Sequence, residues 1–238
     1  MTDATSLRIK VFADGADIAG IRKLADDPLI AGITTNPTLM RKAGIEDYQR
    51  FATELLEVVP DRPISFEVFS DDFAEMERQA LKISGWADNV YVKIPITNTE
   101  GLSSLELVRR LSHDGVRLNV TALMTPGQVE ASAVALEGGA PAYVSVFAGR
   151  IADAGVDPLP VMVDALDVLR PLPGVELIWA SPREVLNIVQ ADQIGCHVIT
   201  VTHDLLAKLH LLGRDLDEFS LDTVRMFHRD AGAAGFTL

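Results

Sequence analysis

The chain has 238 residues, a length at which α/β barrels of about 250 residues commonly form one domain, and its hydrophobic fraction of 48% is ample for a core. Its formal net charge of −13 disfavours nonspecific binding to nucleic acid or anionic membrane, which need clustered cations, while leaving open an anionic small substrate held by a few local arginines. No run reaches the ~20 apolar residues of a membrane span, the stretch from Met1 to Ser6 lacks a signal-peptide pattern, and Cys196 stands alone, so a cytoplasmic protein with no membrane or nucleic-acid partner is expected.

Runs rich in β-branched residues predict strands over 7–13, 30–34, 63–68, 90–94, 116–120, 142–147, 175–180 and 197–201. A helix from about Asp17 to Asp27, stopped near Pro28, follows the first run, and one from about Ile45 to Val59, stopped near Pro60, follows the second. Between Asp71 and Gly85, residues Phe73, Met76, Ala80 and Ile83 recur at three- and four-residue spacing, which predicts a helix with one face against a sheet. Pro126 and Gly127 open another helix, ending near Gly138. This alternation predicts an α/β fold, a single (β/α)8 TIM barrel with a closed parallel sheet and outer helices, forming one catalytic domain over 1–238. A doubly wound open sheet is the alternative, although no glycine-rich phosphate fingerprint stands in the right context.

A barrel carries its chemistry at the carboxyl ends of its strands. Those ends present Asp14, then Thr34, Thr35 and Asn36, then Glu67, Lys93, Asn119 and Thr121, Ser145, and Ser181 with Arg183. Lys93 interrupts the apolar run Val90-Tyr91-Val92-Lys93-Ile94-Pro95. A lysine is rarely buried without a partner, and a desolvated amine attacks carbonyls readily, so Lys93 reads as a Schiff-base nucleophile. The other reading is a packed stem whose ammonium reaches water.

An amine that forms and hydrolyses an imine needs a proton-shuttling water, and Glu67 and Thr121 flank Lys93 on the neighbouring strands, with Ser145 a further anchor. Asp14 is the candidate to take a hydroxyl proton when a carbon–carbon bond breaks; it also suits a turn or helix cap, a role for which Asp17 is the better placed. Asn36 and Asn119 suit substrate hydroxyls, although Asn36 before Pro37 is also a turn former. Arg150 and Arg183 suit a phosphate, which a guanidinium matches with two hydrogen bonds, or else stand as exposed or ion-paired arginines. No metal is expected: His113, His197, His203, His210 and His228 lack paired zinc-type spacing. His203 and Asp204 begin a helix-like stretch and would close the barrel mouth or cap that helix. Cys196 falls in the predicted eighth strand as a core residue, and Trp86 and Trp179 read as packing.

The segments Phe12-Ala13-Asp14, Gly32-Ile33-Thr34-Thr35-Asn36-Pro37, Phe66-Glu67-Val68, Val92-Lys93-Ile94-Pro95, Asn119-Val120-Thr121 and Ser145-Val146-Phe147-Ala148-Gly149-Arg150 resemble, in order, the short transaldolases of the class I Schiff-base aldolases. The resemblance implies that Lys93 forms the imine with a ketose donor and that Asp14 acts in cleavage. It implies that Glu67, Thr121 and Ser145 hold the catalytic water, that Thr35, Asn36 and Asn119 belong to the substrate site, and that Arg150, Ser181 and Arg183 surround a phosphate. No cofactor is implied, the partners are sugar phosphates, and a homo-oligomer of five or ten subunits is expected. Related fructose 6-phosphate aldolases tend to carry glutamine in place of Glu67 and tyrosine in place of Phe147, so both positions resemble the transferase. The family usually has threonine where Gly15 follows Asp14, a change expected to loosen that loop and alter substrate preference.

Overall fold

The computed structural model describes residues 6–236. Eight strands, β1 (Lys10–Asp14), β2 (Ile30–Thr34), β3 (Ile64–Glu67), β4 (Val90–Pro95), β5 (Leu118–Leu123), β6 (Ala142–Val146), β7 (Val175–Trp179) and β8 (Val198–Thr202), pair in sequence order, all parallel, and β8 returns to β1. The protein is a (β/α)8 TIM barrel, and closure eliminates the doubly wound alternative.

The helices are α1 (Ile18–Leu24), α2 (Pro37–Lys42), α3 (Tyr48–Val58), α4 (Phe73–Ser84), α5 (Leu105–His113), α6 (Pro126–Leu136), α7 (Ala148–Asp153), α8 (Pro158–Leu169), α9 (Leu186–Gln193), α10 (His203–Leu206) and α11 (Leu216–Ala234). Asp17 caps α1, its carboxylate accepting from the backbone N–H groups of Ala19 and Gly20. The helix predicted from Ile45 starts later and is preceded by the short α2. Asn36 caps α2 by accepting from Leu39 N at 2.9 Å, Pro37 fits its first turn, and Asp47 caps α3 through Arg50 N at 2.9 Å. Cys196 precedes β8 rather than lying in it, and burial pushes its thiol up to about 12, the state of an inert core residue.

The packing has two parts. Between strands and helices lies the large core, including Trp179, Phe66, Leu55 and Met76. A smaller cluster joins Phe12 of β1, Tyr143 of β6, Ile178 of β7 and Val198 of β8, with Tyr91 of β4 against it. Phe12 meets Tyr143 edge-on at 5.6 Å between centroids, and Tyr91 meets Tyr143 at 4.4 Å. Because β1, β4 and β6 are not neighbours in the sheet, these rings meet through the lumen. Gly32 of β2 makes room for them, since a Cβ there would lie 2.7 Å from the Phe12 ring.

Side chains two residues apart share a strand face. The residues two positions beyond Phe12, Tyr91, Tyr143 and Val198 are Asp14, Lys93, Ser145 and Thr200. The aromatic layer therefore plugs the barrel beneath a polar layer, which opens at the carboxyl ends of the strands.

Candidate active site

The polar layer forms the floor of a cleft of about 540 Å³, in the size range of small-molecule sites. At its centre Lys93 is 6% exposed, a degree of burial that calls for partners. It has two: the Glu67 carboxylate at 3.1 Å and the backbone carbonyl of Thr35, to which Nζ donates at 2.8 Å. The barrel register sets the first contact, because Glu67 on β3 pairs with Lys93 on β4. The reading of Lys93 as a lysine with a solvated head therefore does not hold.

Asp14 lies on the same floor. Burial pushes its carboxyl above the usual aspartate range and the Glu67 charge adds to this, while the Lys93 charge and hydrogen bonds from Thr34 and Asn36 oppose the shift. Thr34 Oγ1 donates to Asp14 Oδ1 at 2.8 Å and is in turn bonded to Thr200 Oγ1 of β8. Asn36 thus both caps α2 and faces Asp14.

On the other side, Asn119 is fully buried and spans the floor, donating to Ser65 Oγ at 3.0 Å and accepting from Ser145 Oγ at 2.7 Å. Thr121 lines the cleft on β5, and its buried hydroxyl has no partner among the described residues. Thr35 departs from its expected place. It follows Thr34 by one residue, so its buried side chain turns away from the cleft wall and its hydroxyl donates to Ser65 O at 2.9 Å. Only its carbonyl reaches the centre.

Phe147, Arg150, Ser181 and Arg183 form the wall above β6 and β7. Arg183 is ion-paired with Asp153, donates to its Oδ1 at 2.9 Å, and also donates to Ser181 Oγ at 2.9 Å. Its guanidinium is held in place and still borders the cleft. Asp153 also feels the charge of Arg150. Ala122 and Ser181, with φ of 65° and 62°, are non-glycine residues in the left-handed region, and both border this cleft. Backbone strain of this kind, about 1–3 kcal/mol per residue, concentrates at functional sites.

A family profile described as Transaldolase/Fructose-6-phosphate aldolase matches residues 11–238. The chain belongs to that family. The probable transaldolase of Dehalococcoides mccartyi is 38% identical over 203 residues, covering 84% of this chain and 90% of that protein. The probable transaldolase of a Thermoanaerobacter species is 33% identical over 225 residues, 94% of this chain and 99% of its own. That of Nitrosopumilus maritimus is 34% identical over 203 residues, 84% and 87% respectively. Family and relatives together support an aldolase-type enzyme of carbohydrate chemistry.

Within this family member, Gly15 leaves room for His203. A Cβ there would lie 3.1 Å from Nε2 of His203, whose ring also packs on Gly20. His203 is the first residue of α10, and its ring, against Gly15 and Gly20, lies behind the Asp14 loop rather than over the barrel mouth. Thr34, Thr200 and Ser65 are the polar residues of the floor that the reading of strand ends did not assign to the site. The period-2 rule applied downward from Asn36, Thr202 and Glu67 would have found them. Among the described residues no three His, Cys, Asp or Glu side chains are grouped to hold a metal, and no helix is long and apolar enough to cross a membrane.

Proposed function

We propose that this protein is a transaldolase: it moves a dihydroxyacetone unit from a ketose phosphate, such as fructose 6-phosphate or sedoheptulose 7-phosphate, to an aldose phosphate through a Schiff base on Lys93. The observation that carries the reading is the buried Lys93 amine held at 3.1 Å from Glu67 on the floor of the cleft.

In this account the free amine attacks the C2 ketone. A water held between Glu67 and the unpartnered Thr121 hydroxyl relays the protons by which the carbinolamine loses water. Asp14 then takes the C4 hydroxyl proton, the C3–C4 bond breaks, and its electron pair passes into the C2–C3 enamine as the aldehyde leaves. The enamine carbon attacks the acceptor aldehyde, Asp14 returns its proton to the new hydroxyl, and hydrolysis of the imine regenerates Lys93. An aspartate whose proton affinity burial has raised suits both halves of this exchange. No metal or cofactor enters any step.

Asn36 and Asn119 orient substrate hydroxyls in this account, and Ser145 fixes Asn119. Arg150, Arg183 and Ser181 receive the phosphate, with Asp153 keeping the Arg183 fork aimed along the wall. Thr35 serves through its carbonyl.

The rival within the family is a fructose 6-phosphate aldolase, which releases the three-carbon unit. Glu67 and Phe147 favour transfer, because position 147 offers no phenol and a carboxylate rather than a neutral amide at position 67 alters the charge around the water that would protonate the enamine. Incubation with fructose 6-phosphate alone decides between them. Little free dihydroxyacetone without an acceptor, and turnover once an aldose phosphate is added, is expected; steady release without acceptor would identify the aldolase. A barrel that only binds sugar phosphates would show neither.

We further infer a cytoplasmic homo-oligomer, with pentamers and decamers the expected sizes. Supporting association, α11 buries none of its residues and exposes Leu216, Val224 and Phe227. Light scattering that returns a monomer mass at micromolar concentration would refute it.

A further inference from the structure

Asp14 must hold its proton on an oxygen that faces the substrate, and the floor of the barrel contains a device that does this. Thr34 is 2% exposed and Thr200 is 6% exposed, so both hydroxyls sit in the floor of the cleft with little access to solvent. A hydroxyl owns one proton. Thr34 gives its proton to Asp14 Oδ1, so the hydrogen bond between the two threonine hydroxyls must be donated by Thr200. The result is a one-way chain, Thr200 to Thr34 to Asp14 Oδ1, that crosses from β8 to β2 and ends on β1.

We infer that Thr200 is a positioning residue of the reaction: by donating to Thr34 it locks the Thr34 proton onto Asp14 Oδ1, so that Oδ2, with the Asn36 amide the other polar group facing this carboxyl, takes and returns the substrate proton. The inference rests on the proposed role of Asp14. Thr200 acts only through Thr34. Serial hydrogen bonds reinforce one another, so Thr200 strengthens the bond that favours the carboxylate.

The charged groups on the same floor are Lys93 of β4, which favours the carboxylate, and Glu67 of β3, which opposes it. Arg150 and Arg183 stand on the far wall, and His203 lies behind Gly15. None of these touches the threonine pair in the hydrogen-bond network, so a change at Thr200 leaves their own bonds in place.

The test compares wild type with Thr34→Val, Thr200→Val and Thr200→Ser, reading kcat/KM for donor cleavage against pH, with thermal unfolding as the check on folding. Valine keeps the branched shape and removes the hydroxyl; serine keeps the hydroxyl and removes the methyl. Thr34→Val, which deletes the direct bond to an ionised group, is expected to move the acid limb of the profile up by about one pH unit. Thr200→Val is expected to move it in the same direction by about a third of that, roughly a twofold loss of rate on the limb, and Thr200→Ser to restore it. An acid limb that stays put in Thr200→Val, or a shift that serine does not reverse, would overturn the inference. Borohydride trapping of substrate on Lys93 is run alongside. Failure of wild type to trap would defeat the Schiff-base reading itself, whereas normal trapping with an unmoved limb defeats only the role of Thr200.

Discussion

Replacing Lys93 by methionine separates what the amine does for catalysis from what it does for the fold. Methionine preserves most of the aliphatic length and removes the charge that stands 3.1 Å from Glu67, in a pair whose side chains are 8% and 19% exposed. Breaking a buried ion pair by removing one partner costs about 3–5 kcal/mol. Glu67 keeps some access to the cleft, which brings the expected cost to or below the lower bound of that range, about 2–3 kcal/mol. With roughly 2.1 cal/mol/K of unfolding entropy per residue, a chain of 238 residues has about 0.5 kcal/mol/K, so Tm should fall by about 4–6 °C. The barrel stays folded. The loss should shrink in acid, where Asp14, deprived of the Lys93 charge that opposes its raised proton affinity, takes up a proton. Turnover, by contrast, should fall at least ~10⁴-fold, since Lys93 is the lysine on the cleft wall. Differential scanning fluorimetry between pH 4 and 8, with a coupled assay of transfer, reads both quantities. Residual turnover at a few per cent of wild type, or a Tm that does not move, would refute the reasoning.

Three further outcomes follow from the geometry. Burial raises the Asp14 carboxyl above the ordinary 3.8, so the folded protein holds that proton more tightly than the unfolded chain, and this contribution to stability is lost as pH rises through the folded value. Asp14→Asn should therefore melt above wild type at pH 7, with the gap closing below about pH 4, and should still trap substrate on Lys93 while cleaving none; equal melting at pH 7 would contradict the burial argument. Arg150→Ala should raise KM about tenfold or more for a phosphorylated donor, the size of a charge-assisted hydrogen bond, and leave an unphosphorylated donor unaffected, as steady-state kinetics on the pair would show. Gly15→Thr should lower the unfolding free energy by the ~1–3 kcal/mol typical of overpacking because of the 3.1 Å approach to His203, and His203→Ala in the same chain should recover most of it, as thermal unfolding would show.

The sequence carried the barrel because its strands are buried on both faces, so they read as short continuous β-branched runs separated by helical periodicity. The polar strand ends carried most of the cleft for a related reason: Asp14, Glu67 and Lys93 each break an apolar run at its carboxyl end, where only the barrel mouth offers them partners. The strand end Thr34-Thr35-Asn36 was legible as a group, and strand alternation puts Thr34 with Asn36 and turns Thr35 to the other face; that Thr34 bonds to Asp14 needed the folded barrel. Ala122 shows a second limit. Nothing in its identity announces a φ of 65°, and the bulge it makes carries β5 to Leu123, past the predicted end at 120. The relation between Gly15 and His203 joins residues 188 positions apart, and only closure of β8 onto β1 brings them together. Asn36 before Pro37 was legible as a turn former, and its second role toward Asp14 needed the folded barrel.

The central claim is the imine on Lys93, and it is tested most directly by borohydride reduction in the presence of fructose 6-phosphate, followed by peptide mass analysis across residues 90–98. The account predicts a reduced dihydroxyacetone adduct on Lys93, absent from Lys93→Met. An unmodified Lys93 under conditions that trap another lysine aldolase would contradict it.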